Sequence, residues 1–314
     1  MSTKIRYLTH QDIDKAKWDR ALTKSQNGMA YAQSWFLDAV SPEWEALVTA
    51  DYSLVMPLTW RKKYGIKYLF QPPFTQQLGL FSASGDVSPA ELRDFIDAIP
   101  ASFRYIDMFL NCRNTFSQEK LPGLLIIPRI THHLSLTKAY EDIRENYSTN
   151  LVRNLKKAAS HKLTADPHIP IEELISLFRK NRGRTIDTLG RREFDILKML
   201  HASAKEKKAV SGYGIRSGGK LLAGALFLTS NHEYIFLFSA TGDEGKQKGA
   251  MSLILDQFIQ DHCGELMLLD FEGSMDKNLS RFYKSFGADE IVYLHIQKNR
   301  LPDIVRWLKR SSKV

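Results

Sequence analysis

The chain has 314 residues, 43% of them apolar and 25% charged, and a net charge of +9 at neutral pH. That length exceeds the usual reach of one hydrophobic core, so two domains are expected, and the ordinary composition excludes a disordered or fibrous protein. The longest apolar run, 221–228, is far too short to cross a bilayer, and no apolar segment follows the first positive charges, so a soluble cytoplasmic protein is expected.

In chain order, residues 44–50, 53–60 and 66–70 read as a meander of strands with turns at 51–52 and 62–65. A helix over 89–98 follows, opened by Ser88 as N-cap and Pro89 at its first position, and then a strand over 105–110. Helices are expected over 139–160, 171–180 and 191–207, the first two separated by Asp166-Pro167 and Ile169-Pro170. A second meander takes 209–216, 220–229 and 233–240. A helix over 245–263 ended by Gly264, a strand over 266–271, a helix over 276–285 and a strand over 290–296 complete the order. The halves share an order of elements without repeating residues. The expected fold is α/β, with domains at 1–136 and 137–314, each a mixed, mostly antiparallel sheet flanked by helices.

The positive charge is concentrated in one segment. Residues 137–220 hold 18 Lys/Arg against 10 Asp/Glu, while the flanking segments are close to neutral. Such a segment attracts a polyanion, or else is a set of solvated helix faces. Cys112 and Cys263 have no His or Cys at metal spacing, so neither zinc nor a disulfide framework is indicated, and both read as buried thiols. His132 and His133 fall on opposite faces of a strand. No metal is expected.

Asp270-Phe-Glu-Gly-Ser274, the segment Asn278-Leu-Ser-Arg-Phe-Tyr-Lys-Ser-Phe-Gly-Ala288 and the basic helix 147–158 together resemble FemAB/FemX-like proteins with tandem GNAT domains. Trp35-Phe-Leu-Asp38, Met56-Pro-Leu58 and 71–79 are similar to the same group. The resemblance implies two GNAT-like domains of the acyl-CoA N-acyltransferase fold and transfer of an acyl or aminoacyl group to an amine. Fem enzymes draw aminoacyl groups from charged tRNA for cell-wall precursors, and other members of the wider superfamily use acyl-CoA. Both donors stay open, as do a CoA-dependent acetyltransferase of a small molecule and a non-catalytic tandem GNAT-like binding protein. The expected acceptor is a small-molecule or peptide amine, and tRNA is the expected partner of 137–220 if it is the donor.

Direct transfer needs a neutral amine, a polarised carbonyl and a proton for the leaving group. The chain has no Gly-x-Ser-x-Gly elbow, as fits a route without a covalent intermediate. Glu272 is the candidate base and Asp270 the second. If the strand reaches Phe271 they share a side, and neighbouring carboxylates raise each other's proton affinity. The plainer alternative is a helix cap or a pairing with Lys277 or Arg281. Tyr283 is the candidate acid, although it sits in an apolar stripe with Leu279, Phe282 and Phe286 that suits a core tyrosine equally.

The donor's phosphates are expected at the helix start formed by Gly242, Asp243, Gly245, Lys246, Gln247, Lys248, Gly249 and Ala250, with Asn278 added from the later motif. This stretch departs from the CoA pattern Arg/Gln-x-x-Gly-x-Gly/Ala, with Lys246 at the Arg/Gln position and Met251 where a small residue belongs; it also reads as a surface loop. Arg153, Lys156, Lys157, Arg179, Lys180, Arg182, Arg184, Arg191 and Arg192 are candidate RNA-backbone or phosphate contacts. Arg191 is also a substrate candidate; Gln71, Gln76 and Gln77 beside Phe70 and Phe74 are candidates for an acceptor groove in the first half, the plainer reading being a Pro-rich loop packed on the sheet.

Overall fold

The computed structural model describes residues 4–116, 122–181 and 189–301. The chain divides into two units, one running to Arg129 and resuming at Val292, the other Ile130–Ile291.

The first unit contains β1 (Ile5–Leu8), α1 (Lys15–Lys24), α2 (Ser34–Val40), β2 (Glu45–Thr49), β3 (Leu54–Leu58), β4 (Trp60–Lys63), β5 (Ile66–Leu69), β6 (Phe81–Ser82), α3 (Pro89–Asp97) and β7 (Phe103–Phe109). Strands β1, β2, β3 and β6 form a sheet in that order, while β4 pairs antiparallel with β5, and β5 lies parallel to β7. The expected meander therefore divides after Leu58. Strands β2 and β3 are buried along their whole length, whereas the Lys62–Lys63 end of β4 keeps its cations toward water, so the polar hairpin joins another sheet. Helix α3 starts as expected: the Ser88 hydroxyl accepts the Glu91 N–H and the Glu91 carboxylate accepts the Ser88 N–H.

The second unit takes in the end of β8 (Leu124–Ser135), then α4 (Tyr140–Arg144), α5 (Thr149–Ser160), β9 (Ala165–Asp166), α6 (Ile171–Lys180), α7 (Arg191–Glu206), β10 (Val210–Ser217), β11 (Lys220–Thr229), β12 (Glu233–Thr241), α8 (Asp243–Gln247), α9 (Ala250–His262), β13 (Leu268–Asp270) and α10 (Lys277–Lys284). Its strand order is β8-β13-β12-β11-β10-β9. The meander β10–β11–β12 is antiparallel as expected, and β13 joins β12 in parallel. Helices α5 and α9 cover one face, where Phe227 stacks on Phe258 at 3.7 Å and Phe271 on Tyr283 at 4.9 Å.

The last strand, β14 (Asp289–Asn299), pairs His295–Asn299 against Phe109–Tyr105 of β7. The chain thus returns to the first unit instead of ending in the second, and the first boundary falls after Arg129 instead of Leu136. Two further differences bear on the site. The expected helix over 245–263 divides into α8 and α9 at Gly249, whose φ of 72° ends one helix and caps the next. The expected strand over 266–271 stops at Asp270, because Glu272 turns to a φ of 53°. Both cysteines are half-buried, not buried.

Candidate active site

Strands β12 and β13 are paired only at Glu233–Leu268, Tyr234–Leu269 and Ile235–Asp270. Past that point β12 runs on to Thr241 while β13 ends, so the ladder opens. A cleft of about 630 Å³ lies along the freed part of β12, lined there by Phe236, Ser239, Ala240 and Thr241. The α8–α9 segment contributes Asp243, Gly245, Lys246, Gly249, Met251 and Ser252. Helices α5 and α6 with the residue after them supply Asn154, Phe178, Lys180 and Asn181, and α10 supplies Leu279, Phe282 and Tyr283.

One end of the cleft suits an anion. The N-cap of α9 is Gly249, which has no side chain to cap it, so the first-turn amides open toward Gly249, Met251 and Ser252 at the positive end of a 13-residue helix. Close backbone approach makes this geometry. A Cβ on Gly249 would stand 2.6 Å from the Asn154 carbonyl oxygen, and one on Gly245 would stand 2.4 Å from the Leu222 carbonyl oxygen. Lys246 lines the cleft while pairing with Asp243 at 3.0 Å. Lys248 is drawn to Glu244 at 2.8 Å, and Gln247, Lys248 and Ala250 do not line the cleft. Gly242 receives no lining role either; its N–H donates to the Leu222 carbonyl at 2.9 Å. Asn278 is exposed on α10, its N–H donating to the Asp276 cap.

At the other end Tyr283 is buried in the cleft wall, its ring between Phe271 and Phe282. Both carboxylates lie behind it, outside the lining. Asp270 is fully buried: the Thr131 hydroxyl and the Glu272 N–H donate to Oδ1, and His133 Nε2 stands 3.3 Å from Oδ2. His133, Glu233 and Asp270 make a buried polar cluster whose side-chain atoms lie within 4.8 Å of one another. Burial opposes charge on His133, and the Asp270 carboxylate overcomes it, so the imidazole's pKa is raised.

Glu272 is half-buried, but its Oε1 is fully buried with no hydrogen-bond partner among the described residues. Burial alone holds its carboxyl well above the usual glutamate pKa. The expected mutual effect of two carboxylates is thus corrected: the left-handed turn breaks the alternation that would have set Glu272 beside Asp270, and desolvation shifts it instead. Neither residue caps α10, which is capped by Asp276. A methyl on Gly273 would lie 4.0 Å from the Tyr283 hydroxyl, so the acidic turn and the cleft wall are neighbours.

The remaining expected residues lie elsewhere. Arg191 is exposed at the start of α7 and outside the cleft. Gln71 and Gln76 belong to the first unit; the Gln71 side chain donates to the Thr75 carbonyl and accepts from the Phe109 N–H, and Gln76 accepts from Gln77. Arg153, Lys156 and Lys157 share an exposed face of α5, and Arg179, Lys180 and Lys198 line a shallow groove of about 490 Å³ along α6 and α7. Arg182 and Arg184 lie outside the described residues. Sequence reasoning missed Asn154, Asn181, Phe236 and Ser252, which carry no motif and reach the cleft from three separate helices or their ends and one strand.

Residues 145–284 match the family model described as an acetyltransferase (GNAT) domain. No curated protein sequence matches the chain. Among solved structures it is similar to FemX, with a TM-score of 0.60 at 11% identity over 90% of this chain and 96% of that one. It is similar to a tandem GNAT protein from the clavulanic acid biosynthesis pathway, with a TM-score of 0.54 at 11% identity over 95% and 99%. It is also similar to the C-terminal domain of a putative lysylphosphatidylglycerol synthetase from Agrobacterium fabrum, with a TM-score of 0.53 at 10% identity over 95% and 96%. At these identities the likeness establishes the fold, a mixed α/β arrangement of the GNAT type.

Proposed function

We propose that this chain, a FemAB-like protein of the GNAT fold, is an N-acyltransferase that moves an acyl or aminoacyl group from an activated donor to an amine. One observation carries the reading: β12 and β13 part over a cleft that joins the uncapped start of α9 to Tyr283. The donor's phosphate-bearing end is assigned to the α9 start, beside Lys180, Asn181 and Lys246, and its acyl end to the wall of Phe236, Phe282 and Tyr283.

In the proposed reaction the neutral amine attacks the acyl carbonyl directly. Its surplus proton passes through one water to the ionised Glu272, whose displaced pKa brings it closer to working pH. The carbonyl re-forms as the C–S bond of a thioester or the C–O bond of an aminoacyl ester breaks, and Tyr283 protonates the departing thiolate or ribose oxygen. Asp270 holds the Glu272 amide.

Two donors have support. Met251 at the helix start, the exposed basic face of α5 and the likeness to FemX favour charged tRNA, with a cell-envelope precursor amine as acceptor and the cytoplasm as the place of reaction. The cleft volume and the glycines at the α9 start favour acyl-CoA. Thermal shift with acetyl-CoA, longer acyl-CoAs and charged tRNA separates them. Stabilisation by a CoA thioester alone discards the tRNA donor, and stabilisation by neither contradicts the transferase reading.

A further inference from the structure

Behind Tyr283 lies a buried histidine that the proposed chemistry does not use. His132 is fully buried on β8, on the same face as Leu134, and its ring centre is 6.3 Å from that of Tyr283. Its main-chain carbonyl accepts the Phe271 N–H at 3.0 Å, and its Nδ1 lies 2.7 Å from Ser274 Oγ. The Ser274 hydroxyl in turn donates to the Glu272 carbonyl at 3.1 Å.

These contacts assign the tautomer. A serine hydroxyl has one proton; with that proton assigned to the Glu272 carbonyl, Ser274 Oγ accepts from His132. Nδ1 therefore carries the ring proton, and Nε2 is left with a buried lone pair that has no partner among the described residues. Burial holds the ring neutral, and Lys284 on α10 and His133 on β8 act in the same direction; Glu290 on β14 and Asp270 on β13 oppose them without reversing the sign.

We propose that His132 is the positioning residue of the acyl-transfer site: its Nδ1–H holds Ser274, and through Ser274 the left-handed turn that presents Glu272. The turn needs such a hold. Glu272 has a φ of 53° and Gly273 of 59°, and a non-glycine residue in that region keeps its conformation only when its surroundings impose it. Asp270 secures the amide side of Glu272, and the His132–Ser274 chain secures its carbonyl side. Released from the second hold, Glu272 relaxes to ordinary backbone geometry and its carboxyl becomes fully solvated.

This inference rests on Glu272 being the base, and its test separates the two. The carboxyl titration of Glu272 is followed by carbon-13 NMR in the full chain labelled at glutamate, with Glu272→Gln supplying the assignment, for wild type, Ser274→Ala, His132→Phe and His132→Asn. Wild-type Glu272 titrates well above an ordinary glutamate. Ser274→Ala and His132→Phe return it toward the usual range, and the double variant goes no further than either single one. His132→Asn, whose amide N–H stands where Nδ1–H stood, restores most of the displacement. Melting temperature shows that each variant is folded, and long-range proton–nitrogen spectra of wild type report the tautomer independently, with Nδ1 protonated. An elevated Glu272 titration that the two disrupting variants leave in place, or an Nε2-protonated His132, overturns the positioning role. An ordinary Glu272 titration in wild type overturns the base assignment, and the positioning role falls with it.

Discussion

The Glu272 N–H donates to Asp270 Oδ1 at 2.9 Å, so the buried carboxylate at the end of β13 anchors the backbone of the next acidic residue. Division of labour follows from burial. Asp270 is closed off and tied to Thr131 and His133, while Glu272, two positions on, has an oxygen with no partner among the described residues. Asp270→Asn weakens the contact with His133 while its neighbours stay buried. A loss of ~3 kcal/mol is expected, the usual scale for breaking a buried pair, read from urea unfolding at pH 6. A change below ~1 kcal/mol would show that the cluster is not an ionic anchor.

Glu272→Gln separates function from stability. A carboxyl whose folded pKa is raised contributes stability below its unfolded pKa and loses that contribution as pH rises through the folded value. By pH 8 the buried carboxyl, its pKa raised above the unfolded value, opposes folding, and a neutral amide does not. The variant is expected to unfold at higher temperature than wild type at pH 8, by roughly 2–4 °C for a gain on the order of 1 kcal/mol, and to lose transfer activity by about 100-fold or more. Equal melting temperatures would mean that Glu272 is solvated.

The pH profile has a stated sign. As the base, Glu272 works only when ionised, so kcat falls as pH drops through its raised pKa, and this limb lies well above 4.5. Stability moves the other way. His133 also has a raised pKa, so its contribution is complete below about 6.5 and declines as pH rises through its folded value. Unfolding free energy measured from pH 6 upward should therefore decline, and His133→Gln should flatten that decline.

Gly249→Ala tests the shape of the anion end. The residue sits at a φ of 72°, and the new Cβ would stand 2.6 Å from backbone, so α5 and α9 must separate or the helix start must move. A cost of ~1–3 kcal/mol is expected, together with weaker donor binding and little change in kcat at saturation. An unchanged donor KM would remove the α9 start from the donor site.

The second half of the fold was legible because its turns are short and its strands are rich in β-branched and aromatic residues; the observed β10–β12 and α6 match the expected spans closely. β8 was not. Pro128 and Arg129 interrupt its apolar pattern, yet it delivers Thr131, His132 and His133 to partners 137 to 142 positions away. Contacts at that range are set by strand pairing, which a local reading does not supply. Tyr283 and the Gly249 start were readable from stripe and glycine spacing, whereas Asn154 and Asn181 have no local signal. The Glu272 turn defeated the alternation argument because one left-handed residue cancels period two.

If the donor lies in the opening between β12 and β13, filling that opening displaces it. Ser239 lines the cleft wall on β12 and is neither the proposed acid nor the proposed base. Equilibrium binding of the donor chosen by thermal shift, measured by calorimetry on wild type and Ser239→Phe with melting temperatures matched, decides the matter. At least a tenfold loss of affinity is expected in the filled variant, ~1.4 kcal/mol; a donor that binds both proteins equally lies somewhere else, which contradicts a donor site in this cleft.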